Sequence, residues 1–171
     1  MTNAIRTILD GDAVGGETQM RAIAMVADIS AIVSLFAIVF LVAFFTLGGV
    51  FGPLNDIATV VQHVLLLPIA VFIYSRRDGG ALNRIALLIG LAGMLAVIVL
   101  QALLVLGVLP FSQQIKLVIP AFLVVLVWFL LVERTGRSDD RLPKGLLLHA
   151  LAGLAFGYPF WAFSLGRRLR S

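Results

Sequence analysis

Five long apolar runs, at residues 22–48, 56–75, 82–108, 114–132 and 145–165, leave this chain few ways to fold. Each is near the ~20 residues that carry a helix across ~30 Å of hydrocarbon. They are too long, and alternate too little, for the strands of a transmembrane barrel. The breaks between them read as loops: "GGVFGPLND" at 48–56, "SRRDGG" at 75–80, "GVLPFSQ" at 107–113 and "ERTGRSDDRLPKG" at 133–145. Gly, Pro and charge gather there, as turn chemistry requires. The expected fold is all-α, an integral membrane bundle of five transmembrane helices.

Composition excludes the soluble alternative. Of 171 residues 61% are hydrophobic and only 13% are Asp, Glu, Lys or Arg, about half the share of a soluble domain. A chain this small has too much surface to hide that apolar load from water. One transmembrane domain is expected over 21–166, between a polar tail at 1–20 and a basic tail at 167–171. Within the first tail, residues 4–9 read as a short interfacial turn or helix and 10–19 as a flexible stretch. It lacks the basic, apolar, small order of a cleaved signal peptide. Asp10, Asp12 and Glu17 lack the repeated oxygen ligands of a calcium loop, so no metal site is expected.

Lys and Arg choose the orientation. If all five runs cross, nine of the thirteen basic residues share the side of the N-terminus and the other side holds four, Lys116 and the three of "GRRLRS". Positive charge stays cytoplasmic, which predicts a cytoplasmic N-terminus and an extracytoplasmic C-terminus, with the tail a local exception. Tyr74 and Trp128 fall near the inner ends of their runs, and Tyr158 and Trp161 near an outer end, the levels amphipathic rings prefer. The net charge of +4 lies in clusters beside apolar runs, which suits lipid headgroups and not nucleic acid. A multi-pass protein of a cell membrane is expected, with a prokaryotic inner membrane as its setting. The absence of Cys excludes disulfides, thiolate catalysis and Cys-based metal sites.

Polar side chains inside the runs mark candidate sites. In "PLNDIATVVQHVLLLPIAVFIY", Asp56, Thr59 and His63 share a helical face, flanked by Asn55 and Gln62. A histidine at mid-depth should point into the bundle, because lipid offers its ring nitrogens no partner. Antiparallel topology brings Gln101, Gln113, Gln114 and Lys116 to the same outer half. Asp56, Gln62, His63, Gln101 and Lys116 are therefore the candidate ligand-binding residues of an outer-half polar pocket. The competing account makes Asp56 and Lys116 helix-end caps at the headgroups and the amides polar glue between helices.

His149 lies near the opposite face, in "GLLLHALAGLAFGYPFW", where Gly145, His149, Gly153, Gly157 and Trp161 form a stripe. Gly153 and Gly157 make a GxxxG pair, so helix packing is the expected role of Gly153, Gly157 and His149. Span three offers another small-residue face through Ala86, Gly90 and Gly93, and Asp28 in span one is expected to pair with Arg84 or Arg21. The two histidines bring haem b to mind, but about 12 Å of membrane depth would separate them as axial ligands, which disfavours it. The cofactor is left unassigned.

Phosphate-loop, dinucleotide, zinc-protease and nucleophile-elbow motifs are all missing, so no catalytic residue is assigned. The favoured expectation is a small non-catalytic membrane protein. It is either an accessory subunit or a binder of a lipid-like or small amphipathic molecule through the outer-half pocket. Two alternatives stand beside it: an oligomeric channel or small transporter, and a redox or enzymatic subunit using the intramembrane histidines. The expected partners are membrane lipids, a lipid-like ligand, and a homo-oligomer or larger membrane complex.

Overall fold

The computed structural model describes residues 2–76, 80–136, 162, 165–167 and 169–170, without the side chains of 2–15, 133, 135 and 136. Four long helices follow in order: α1 (Thr2–Leu47), α2 (Phe51–Ser75), α3 (Ala81–Val105) and α4 (Phe111–Gly136). All four contain stretches long and apolar enough to cross a membrane. Large apolar side chains point outward along them, Phe36 at 55% exposure and Leu88 at 66% among them. Water would penalise so continuous an apolar exterior, whereas acyl chains solvate it. The chain is an all-α membrane protein built of several apolar helices.

Two tight turns fix neighbouring helices antiparallel. Gly48 and Gly49 have φ of 68° and 64°, and Gly107 has φ of 70°. Side chains beyond Cα strain that left-handed region, so glycine supplies it at least cost. After α3 the Gly107 N–H donates to the Leu104 carbonyl and the Val108 N–H to the Leu103 carbonyl, both at 2.9 Å. This satisfies the carbonyls that a helix end leaves orphaned. Helix α1 packs on α2, α2 on α3 and α3 on α4, while α1 and α4 do not pack directly on each other. These four helices thus pack as sequential neighbours.

Several details depart from the sequence expectations. The helix of α1 includes the stretch expected as a flexible tail. Extending an existing helix adds one hydrogen bond per residue ordered, and the apolar part already supplies the costly nucleus. Glu17 and Arg21 support it as an i,i+4 pair at 2.6 Å. Trp128, expected at the interface, is only 1% exposed and sits in the core. Its indole lies directly against Gly90, where any Cβ would overlap the ring. Gly93 gives the same close approach to Val124 and Val125, each with an atom 3.0 Å from where its Cβ would stand. The small-residue face of span three therefore packs on α4.

The fifth run, with His149, Gly153 and Gly157, lies outside the described residues except for Ala162 and Leu165, both fully buried in the core with Ile23 and Ala27 of α1. Close by, Arg170 pairs with Asp28, and Gly166 abuts the Asp28 carboxylate and the Ala24 carbonyl. Asp28 thus takes a partner other than the expected Arg84 or Arg21, the latter being bonded to Glu17. Antiparallel pairing puts this end of α1 beside the last turns of α2 and α4. Gly166 and Arg170 therefore lie toward the end of the bundle opposite the Gly48 and Gly107 turns.

Candidate functional site

Helix α2 supplies the polar spine of a cavity. Asn55, Thr59, Gln62, His63 and Leu66 recur at three- to four-residue spacing, so they share one face of the helix. That face looks into a space of about 360 Å³. Ser34, Ala37, Ile38 and Leu41 of α1 form one wall, and Ile119, Phe122, Leu123, Val125 and Phe129 of α4 form the other. Gln101 of α3 joins them. Because α1 and α4 do not pack together, the cavity is a cleft between them. Ile119 and Leu123 on its α4 lip are exposed to the surroundings.

His63 is 3% exposed. Its Nδ1 lies 2.8 Å from the Thr59 carbonyl oxygen, and the Phe122 ring stands edge-on to the imidazole at 5.6 Å. A carbonyl can only accept, so Nδ1 carries the proton. Among the described residues no carboxylate lines the cavity to compensate a charged ring, and an uncompensated charge is costly here. In the neutral ring Nε2 is left with a lone pair and no partner among the described residues. The other buried polar pair closes the turn end of α3 and α4, where Gln114 donates to Gln101 Oε1 at 2.8 Å.

The cleft has a polar end and an apolar end. By the antiparallel register, Asn55, Thr59 and Gln101 lie toward the Gly48 and Gly107 turns. Leu66, Val125 and Phe129 lie deeper. Along α4 the lining runs from Ile119 to Phe129, a rise of about 15 Å. The site is thus elongated and amphipathic.

Of the five residues singled out from sequence, Gln62, His63 and Gln101 line this cleft, while Asp56 and Lys116 do not. Lys116 follows the buried Gln114 by two residues, about 200° round the helix, which turns it outward, whereas Asp56 keeps the helical phase of His63 and lies about two turns nearer the Gly48 turn. Lys116 is exposed, and Asp56 is half-buried with a hydrogen bond from Asn55. The α1 wall was missed because its lining is apolar apart from Ser34, and packing faces of that kind carry no chemical signal. Phe122 and Phe129 were missed for the same reason. Among the described residues no group of three or more His, Cys, Asp or Glu side chains converges.

The Gln101–Gln114 bond yields a testable consequence. Both amides are buried, at 4% and 3% exposure. Gln114→Leu strands the Gln101 carbonyl and should destabilise the bundle by about 1 kcal/mol. The double variant Gln101→Leu/Gln114→Leu removes both partners and should recover part of that loss. Thermal unfolding in detergent reads the difference, and a double variant less stable than the single one by the full additive amount would contradict it. No protein-family model, curated protein or solved structure matches this chain.

Proposed function

We propose that this protein binds a lipid-like, small amphipathic molecule in the cleft between α1 and α4, and acts as a non-catalytic membrane component. The carrying observation is the cleft itself: about 360 Å³, lined from both sides by α1 and α4, whose backbones make no close approach, with buried His63 at its polar end. That volume falls at the lower end of the ~300–1,000 Å³ common to small-molecule sites. Apolar lining with a few placed polar groups is also what such sites use to combine affinity with orientation. The ligand enters sideways from the bilayer, its polar end toward the helix turns and its chain along α4.

Purified protein should retain a defined amphiphile near equimolar amount, detectable by mass analysis of an organic extract. Ala37 is 7% exposed and lines the wall, so Ala37→Trp fills the cleft and should cut retention by about tenfold. His63→Leu keeps bulk but removes both ring nitrogens, and should weaken retention while the bundle stays assembled. An extract holding only bulk lipid, unchanged by Ala37→Trp, refutes the binding function.

The orientation proposed with it has both chain ends on the cytoplasmic side. Its support is the Asp28–Arg170 pair together with the distribution of charge. With four crossings, twelve of the thirteen Lys and Arg residues fall on the side of the N-terminus, leaving only Lys116 opposite. The "GRRLRS" tail then obeys the positive-inside rule. The cleft's polar end faces outward in this arrangement.

A further inference from the structure

We infer that the cleft selects a neutral amphiphile with a single chain and a hydroxyl headgroup, such as a long-chain alcohol or a monoacylglycerol. This rests on the binding function proposed above and adds the chemistry of the head. Nδ1 of His63 is committed to the Thr59 carbonyl at 2.8 Å, so the ring presents Nε2 as an acceptor for which no described residue supplies a partner. The side chain is more than nine-tenths buried and lines the cavity. A buried acceptor is costly while unpaired, and only a hydrogen-bond donor satisfies it.

The second polar contact narrows the class. Gln101 uses its carbonyl oxygen to accept from Gln114, which leaves its amide NH2 as a donor on the same cavity wall. A hydroxyl is the smallest neutral group that donates and accepts at once. It therefore answers both His63 and Gln101. A carboxylate or phosphate offers acceptors alone when ionised, and no Lys or Arg lines the described wall to balance its charge. An ether or methyl ester accepts but cannot donate. The apolar remainder, Leu66, Val125 and Phe129, extends the lining away from the head, and a volume of about 360 Å³ suits one chain rather than two.

Competition in nanodiscs separates head chemistry from chain burial. The full-length protein is placed in phosphatidylcholine nanodiscs with deuterated oleyl alcohol, and the retained alcohol is quantified against empty discs. Unlabelled oleyl alcohol, oleyl methyl ether and oleate then compete, all with the same chain. The alcohol should displace the label about tenfold more effectively than the ether or oleate, the scale of one lost buried hydrogen bond. In His63→Leu, alcohol and ether should become equal competitors. Ether or oleate matching the alcohol in the wild-type protein overturns the hydroxyl inference while leaving binding in the cleft intact. No retention above empty discs removes the binding function itself. The wild-type series decides the matter even if His63→Leu fails to fold.

Discussion

Gly90→Leu should abolish recovery of a folded, monodisperse protein. At this position α3 approaches α4 so closely that the first side-chain carbon would already overlap the Trp128 indole. The ring has little freedom to retreat: it is 1% exposed and packed against Phe129 at a centroid distance of 4.7 Å. In lipid, helices associate through close packing more than through removal of apolar surface from water. A contact that must open by the width of a leucine therefore loses much of what holds α3 to α4. Gly90→Ala should destabilise by about 1–3 kcal/mol, the usual range for overpacking, and Leu by more. Adding Trp128→Ala to Gly90→Leu makes room and should restore part of the folded yield. Val71, half-exposed on α2, provides the control, since Val71→Leu adds bulk to an outward face. Size-exclusion profiles and detergent melting curves give the comparison. Equal behaviour of Gly90→Leu and Val71→Leu would contradict the tight contact.

This helix contact is half legible in the sequence. Ala86, Gly90 and Gly93 stood out as a small-residue face, because close helix approach in a membrane needs small side chains. What they faced was not legible. Trp128 carries an indole N–H, so its place near the end of an apolar run reads naturally as an interfacial anchor. Its burial depends on the void left by Gly90 on another helix, a property of the pair.

The cleft divides along the same line. Helical periodicity and depth made His63 an inward-facing residue, and the shared membrane end of α2, α3 and α4 gathered Gln62, Gln101 and Gln114. Helical phase then mattered within single turns. Lys116 and Gln114 lie at the same depth in sequence terms, but only Gln114 is buried. Charge drew attention to Lys116, whereas rotation about α4 turned it outward. The apolar α1 wall depended wholly on tertiary packing. Lengths behaved differently: α2 and α4 cover the second and fourth apolar runs, and α3 covers the third up to Val105, short of its last three residues, since a hydrocarbon slab imposes a strong one-dimensional constraint.

Cysteines introduced at residue 2 and at Ser171 should both resist a membrane-impermeant maleimide in intact cells. The same reagent should label Val50→Cys and Val108→Cys. The protein has no native Cys, so each substitution gives a single thiol without further changes. Val50 and Val108 are exposed, beside the Gly48–Gly49 and Gly107 turns. Gly166 and Arg170 lie at the other end of α1, where Arg170 meets Asp28 and Gly166 meets Ala24. The proposed four crossings would return the chain to the side on which it began, with Lys116 alone opposite twelve basic residues, as the positive-inside rule requires. Labelling should therefore be close to all-or-none, and permeabilising the membrane should expose residues 2 and 171 together. Rapid labelling of Ser171→Cys in intact cells, with residue 2 protected, would restore a fifth crossing. It would also require the Asp28–Arg170 pair to be absent from the membrane-inserted chain, because one side chain cannot bridge the ~30 Å between opposite faces. Asp28→Lys tests the pair independently: facing Arg170 it places like charges together, and the folded yield should fall, with Asp28→Lys/Arg170→Glu recovering it.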